Sequence, residues 1–394
     1  MTTKVLLVKY GEIALRKGNR TYFEHRLLDA MRHNLATEIA AGSLKVLREQ
    51  GRFLVESPYG DVCIDSVLPK IKHIFGLTAF CPAVKAMDMD INKLKEVAVN
   101  FVANNTNGAK TFKVETKRSD KRYPLQSGQI SAEVGGAIFT ANLGLAVDLH
   151  NPDMTVRIEL RNHAYIYANS IPGEGGLPYG GSGKGVLLLS GGLDSPVAGY
   201  LTAKRGVEIA GIYFHSPPFV SDRALDKVKD LSRELTKFTG AFKLCVIPFT
   251  EVQLFLKDAI HPEKLTILLK RAMFHIANKF AQQQAAQCLI TGDSVGQVAS
   301  QTMHSIAAVN SAAELAVLRP LSILDKQAII DIAKDIGTYP ISIRPYDDCC
   351  TLFVAKHPES KPNTKIIEKI EAQMFDQLLP LVEAAFQNAE YFEL

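Results

Sequence analysis

The rhythm of apolar and polar positions changes twice along the chain and divides it into three stretches. In residues 1–60, an apolar run over 5–9 predicts a strand. Phe23, Leu27, Ala30, Met31 and Leu35 then recur at helical spacing within a predicted helix over 22–41. Apolar runs at 46–47 and 53–55 flank Gln50-Gly51 as the arms of a hairpin would. In residues 61–172, helical patterns over 65–75 and 91–104 precede strand-like runs over 111–116, 146–148, 155–159 and 164–169. The glycine- and proline-dense segment 171–183 marks a boundary. Residues 173–394 then carry unbroken apolar runs over 186–189, 209–214, 242–247 and 288–291, and a shorter one near 317–319. Runs without alternation read as strands buried on both faces. Their alternation with helical patterns predicts a parallel, right-handed α/β sheet with helices on both sides. A last helix is expected over 366–386. There is no internal repeat and no low-complexity tract.

Composition narrows the class. A chain of 394 residues, 47% hydrophobic and 22% charged, is an ordinary globular protein of two or three domains. No apolar run approaches the roughly 18 residues of a membrane span, and the N-terminus turns polar too soon for a signal peptide. The six cysteines are scattered except for Cys349-Cys350, so a reducing, cytoplasmic setting without a disulfide scaffold is expected. The net charge of +4 neither demands nor excludes nucleic acid. His215 and His304 lack companions at metal-ligand spacing, and no protein-built metal site is expected.

The run over 186–189 ends in Leu189-Ser190-Gly191-Gly192-Leu193-Asp194-Ser195. Two glycines let the backbone turn sharply and approach a ligand. Asp194 and Ser195 are expected to cap a helix over 196–204, whose N-terminus would attract an anion. The nearby Gly180-Gly181-Ser182-Gly183-Lys184-Gly185 lacks the spacing of a P-loop, because Pro178 and Gly185 fall where a glycine and a hydroxyl residue are needed; it reads as a linker. Other strands end in Tyr213-Phe214 and in the polar loop 292–302, and ligands of such sheets sit beyond the carboxyl ends of strands. Lys326, at a predicted helix start, faces an unfavourable dipole unless an anion is near. The cationic groups Arg16, Lys17, Arg20 and Lys117, Arg118, Lys121, Arg122, the latter beside Tyr123, fit either RNA phosphates or a solvated surface. Cys349-Cys350 follows Asp347-Asp348, whose like charge would raise a thiol pKa, so activation must come from elsewhere, with Lys326 the candidate.

Ser190-Gly191-Gly192-Leu193-Asp194-Ser195 resembles the pyrophosphatase loop of the PP-loop ATPases. Residues 11–20, residues 117–127 with 148–161, and residues 292–302 resemble the opening, THUMP and Gly-Gln-Val-x-Ser-Gln-Thr motifs of the tRNA 4-thiouridine synthetases, the ThiI family. The resemblance implies a PP-loop (adenine nucleotide alpha-hydrolase-like) α/β domain over 173–394. It would be preceded by α+β ferredoxin-like (1–60) and THUMP (61–172) domains. It also implies ATP with Mg²⁺, and tRNA as substrate with adenylation of a uridine carbonyl at position 8. Leu188, Leu189, Ser190, Gly191, Gly192, Ser195, Tyr213, Phe214, Lys270, Arg271, Gly292 and Gln301 would contact the nucleotide. Asp194, Lys326 and a cysteine, Cys350 rather than Cys349, would carry the chemistry. A cysteine desulfurase is implied as sulfur donor, and a thiazole-pathway sulfur carrier protein as a further partner. Many members carry a C-terminal rhodanese domain; the form expected here lacks it, and Cys350 would be loaded directly. A homodimer is left open. Another PP-loop ligase or 2-thiouridine synthetase would lack the THUMP-like cluster, and a non-catalytic RNA-binding relic would not need Asp194, Lys326 and Cys350 intact.

Overall fold

The computed structural model describes residues 2–16, 18–119, 121, 123–346 and 359–394. It forms two compact units, Met1–Gly176 and Leu177–Leu394.

The first unit contains β1 (Thr2–Tyr10), α1 (Arg20–Asn34), α2 (Ala36–Ala40), β2 (Lys45–Glu49), β3 (Arg52–Glu56) and α3 (Ile64–Ile71). It continues through β4 (Leu77–Ala86), α4 (Ile91–Ala103), β5 (Thr111–Arg118), α5 (Ser127–Thr140), β6 (Ala146–Val147), β7 (Met154–Leu160), β8 (Ala164–Tyr167) and β9 (Ile171–Pro172). The strands join one nine-stranded sheet, ordered β2-β3-β1-β4-β8-β7-β5-β6 with β9 on β4. The helix expected over 22–41 is two helices, α1 and α2. Strand β4 carries Pro82, which masked it in the sequence, yet it pairs with β1, β8 and β9. Helix α5 contains three glycines, and its signal is the stripe Ile130, Val134, Ile138, all buried. Arg52 on β3 reaches Glu159 on β7 at 2.6 Å, although four strand spacings of about 4.8 Å separate them in the order. The sheet therefore curls, and its concave face encloses Lys9, Arg52, Glu159 and Tyr167 in a buried charged network.

The second unit contains β10 (Lys184–Leu188), α6 (Asp194–Lys204), β11 (Glu208–His215), α7 (Asp222–Thr239), β12 (Lys243–Pro248), α8 (Thr250–Ala259) and α9 (Pro262–Gln283). Then follow β13 (Cys288–Ile290), α10 (Met303–Asn310), β14 (Ala316–Leu318), α11 (Lys326–Asp335), α12 (Tyr339–Ser342), α13 (Thr364–Gln387) and β15 (Glu390–Glu393). The sheet order is β14-β13-β10-β11-β12-β15. Five strands are parallel, as the strand–helix alternation requires. The sixth, β15, is antiparallel to β12 and adds an edge strand to the expected parallel sheet. It is a four-residue edge strand that returns directly from α13, too short to stand out in the sequence. Strand β10 lies centrally and is buried, so the loop after it opens at the middle of the sheet's carboxyl edge.

Candidate nucleotide site and RNA-facing cations

The loop between β10 and α6 is held by its two serines. Ser195 Oγ accepts from the Ser190 amide at 2.8 Å and donates to the Ser190 carbonyl at 3.2 Å. Ser190 Oγ in turn accepts from the Gly192 amide at 3.3 Å. Helix α6 starts at Asp194, and its N-cap position, Leu193, has no side-chain cap. The expected capping by Asp194 and Ser195 is therefore corrected: both side chains are engaged elsewhere, Ser195 in bracing the turn. Gly292, after β13, packs on this helix start. A Cβ there would lie 2.8 Å from the Ser195 amide nitrogen and 2.9 Å from the Asp194 carbonyl carbon.

Asp194 receives two donors from other loops. Lys326 Nζ lies 2.7 Å from Oδ1, and Gln297 Nε2 donates to Oδ2 at 2.9 Å. Lys326 is the first residue of α11, whose N-cap Asp325 accepts from the Ala328 amide at 2.8 Å. The carboxylate that offsets the helix dipole's cost to Lys326 is thus Asp194.

A cleft lies beside this pair. It is lined by Leu188, Leu189, Ser190, Asp194 and Ser195 from the loop, and by Tyr213 and Phe214 from β11. Thr291, Gly292, Asp293 and Gln301 close another side, and Lys270, Met273 and Phe274 of α9 complete it. Asp293 accepts from Lys270 Nζ at 3.1 Å and Thr291 Oγ1 at 2.8 Å, with Arg319 Nε at 3.5 Å. Burial alone would raise the Asp293 carboxyl, but Lys270, Thr291 and Arg319 outweigh it and hold it below the usual carboxylate range. A cleft walled by apolar side chains, with Lys270, the hydroxyls of Ser190, Ser195 and Thr291 and the α6 N-terminus in its lining, suits a nucleotide with its phosphates at the loop.

The cleft brings together most of the residues expected there. The loop glycines Gly191 and Gly192 are not among its lining residues, and neither is Arg271. Next to Lys270 on α9, it points about 100° away around the helix and is buried. It donates to both carboxylate oxygens of Glu371 on α13 and to the Ala308 carbonyl. Its role is to join helices. Residues that sequence reasoning missed are Gln297, Thr291, Asp293, Met273 and Phe274. Gln297 and Asp293 stand within the loop motif 292–302, and Met273 and Phe274 lie three and four residues after Lys270, on its face of the helix.

The cationic groups divide in the same way. Arg20 donates to Glu24 at 2.8 Å and to the Tyr10 hydroxyl at 2.7 Å, while Tyr10 also donates to Glu24. That ties Arg20 into the fold. Arg16 stacks over the Phe23 ring at 4.7 Å. Arg118 donates to the Tyr123 carbonyl at 3.0 Å, and the Tyr123 hydroxyl donates to the Met89 carbonyl at 2.6 Å, so this ring serves the core and is not an open stacking platform. Lys117 and Lys121 are exposed. Lys17 and Arg122 lie outside the described residues, as do Cys349 and Cys350.

Comparison with known proteins now fits this geometry. The model of the thiamine biosynthesis protein (ThiI) family matches residues 180–375, the ThiI ferredoxin-like domain matches 5–81 and the THUMP domain matches 89–169. A probable tRNA sulfurtransferase of Lachnoclostridium phytofermentans is 44% identical over 389 residues, 98% of each chain. The chain belongs to the ThiI family of tRNA sulfurtransferases. A second family relative, from Agathobacter rectalis, is also 44% identical over 98% of each chain. A solved 4-thiouridine synthetase in complex with RNA and ATP matches over the full length of both chains, with TM-score 0.87 and 38% identity.

The cysteines of this ThiI-family chain separate by environment. In the second unit, burial pushes the Cys245 thiol up to about 12 and raises that of Cys288. Both are core residues, unsuited to thiolate chemistry. No helix among the described residues is long and apolar enough to cross a membrane.

Proposed function

We propose that this chain is an ATP-dependent tRNA sulfurtransferase that makes 4-thiouridine, its target being the uridine at position 8. The observation that carries the reading is the Asp194–Lys326–Gln297 cluster, whose Asp194 lines the cleft beside Ser190. It belongs to a chain that matches an ATP- and RNA-bound 4-thiouridine synthetase from end to end.

Uridine O4 is a poor leaving group as oxide. Attack of O4 on the α-phosphorus of ATP expels pyrophosphate and makes AMP the group that departs. The loop amides and the α6 N-terminus receive the charge of the pyrophosphate, and Lys326 adds a cation aimed at the same place. Tyr213 and Phe214 offer backbone and ring edge to adenine, and Lys270, steadied by Asp293, faces the nucleotide. Mg²⁺ fits as a cation held by Asp194 and mainly by the nucleotide's phosphates, since among the described residues there is no group of three or more His, Cys, Asp or Glu to cage it. When bound it supplies charge neutralisation of the triphosphate.

Sulfur then arrives as a persulfide on Cys350, loaded by a cysteine desulfurase. Its terminal sulfur adds to C4 as AMP leaves, a second thiol attacks the Cys350 sulfur so that these two depart as a disulfide and the thiocarbonyl stays on the base, and an external thiol reduces the disulfide before the next turnover. The two remaining cysteines of the second unit are buried, which supports placing this step at Cys349-Cys350. The same persulfide would serve a sulfur carrier protein of thiazole synthesis, in line with the family's description. The test is pyrophosphate release that depends on tRNA, together with mass spectrometry of the tRNA nucleosides. Pyrophosphate release indifferent to tRNA, with no thiolated uridine, would sink the reading.

A further inference from the structure

Helix α7 carries a buried lysine that the proposed adenylation does not use. Lys227 is 4% exposed. A buried ammonium is costly unless its donors are satisfied, and a methionine would fill the same space without a charge. Lys227 Nζ donates to two backbone carbonyls, Arg344 O at 2.9 Å and Tyr346 O at 3.3 Å. One turn along α7, Asp230 pairs with the Arg344 guanidinium at 2.5 Å. One turn back, Arg223 lies over the Tyr346 ring at 6.0 Å. Positions 223, 227 and 230 share one helix face. All three contacts fall on one short segment, residues 344–346, just after α12. Helix α12, just before that segment, touches the nucleotide loop, because Ser342 Oγ donates to the Gly192 carbonyl at 3.4 Å. In sequence, Tyr346 runs directly into Asp347-Asp348-Cys349-Cys350.

We propose that this face of α7 is a clamp that fixes the backbone of residues 344–346, next in sequence to the cysteine pair, and that Lys227 is a positioning residue for sulfur transfer and not for adenylation. An ammonium has three donors and can take two carbonyls, two residues apart, of a segment that has no sheet partner. It thereby sets backbone position, which a side-chain contact alone would not. The inference rests on the assignment of sulfur transfer to the cysteine pair.

The test compares Lys227→Met with wild type in the full chain, with thermal unfolding measured alongside. Two rates are read in single turnover with tRNA, ATP and a cysteine desulfurase: pyrophosphate release and 4-thiouridine formation. The expected result is pyrophosphate release near the wild-type rate and thiolation lowered roughly 10- to 100-fold, the scale on which misplacing a reacting group acts. Alkylation of Cys349 and Cys350 by iodoacetamide, mapped by mass spectrometry, should also speed up. If both rates fall together, or neither changes, the proposal is overturned. Should Lys227→Met not fold, Arg344→Ala removes the half-exposed arm of the clamp, with the same split expected. A Cys349→Ser/Cys350→Ser variant run in parallel keeps the two readings apart. Full thiolation by it would reject the cysteine assignment, and unaltered alkylation in Lys227→Met would reject the clamp whatever the cysteines do.

Discussion

At the scale of single residues, Asp194 is the point where three loops meet. It starts α6, receives Lys326 and Gln297, and lines the cleft beside Ser190. Its side chain is not part of the hydrophobic core, so Asp194→Ala should leave thermal stability and tRNA affinity near wild type. AMP formation should fall by about 10²–10³ or more, the cost of losing one preorganised electrostatic partner. Steady-state pyrophosphate release and a tRNA binding isotherm check both halves. For the sulfur step, Cys350→Ser should still consume ATP with tRNA but yield no 4-thiouridine, because serine keeps the size and loses the thiolate. Cys349→Ser should lose less. Loss confined to Cys349→Ser would identify the other member of the pair. Asp194 and Lys326 were legible because motif residues bring their context with them. Lys270 and Arg271 were not separable: neighbours on a helix point in different directions, and only the fold decides which faces the cleft. The contacts of Arg20 were hidden for a related reason, since its partners Tyr10 and Glu24 come from a strand and a helix turn that the sequence did not place together.

At the scale of elements, α9 and α13 are joined by the Arg271–Glu371 pair, with His275 also on Glu371. Burial by itself would raise the Glu371 carboxyl; the hydrogen bonds from His275 and Arg271 overcome it and leave it below the usual range. Glu371→Gln leaves Arg271 buried with its charge uncompensated and should destabilise the second unit by about 3 kcal/mol near neutral pH. A depressed carboxylate contributes its stability above its unfolded pKa, about 4.3, and loses it as pH falls through the folded value. The gap between wild type and Glu371→Gln should therefore narrow below about pH 4. Urea unfolding at pH 7 and at acid pH checks it, and a gap that widens toward acid would contradict the assignment. The elements that were legible are those with unbroken apolar runs, β10 to β13, and long periodic helices such as α4 and α13. Glycines hid α5, Pro82 hid β4 and shortness hid β15, since in each case contacts across the sheet or to a neighbouring helix outweigh weak local preference.

At the scale of the molecule, the sheet of the first unit curls around a buried charged network, and Lys117 and Lys121 stand exposed at and beyond the end of β5. If they meet RNA phosphates, changing both to Gln in the full chain should lower the slope of log affinity against log salt by about 0.7–0.9 for each phosphate no longer neutralised. An unchanged slope would leave them as solvated surface charges. The second unit brings the carboxyl ends of β10, β11 and β13 to one cleft, where the proposed reaction adenylates a uridine carbonyl oxygen. The direct measurement uses tRNA carrying ¹⁸O at O4 of the target uridine, with ATP and a sulfur source, and reads the mass of the AMP released. Adenylation at O4 puts one ¹⁸O in AMP for each 4-thiouridine formed. AMP without the label, alongside thiolated tRNA, would contradict it.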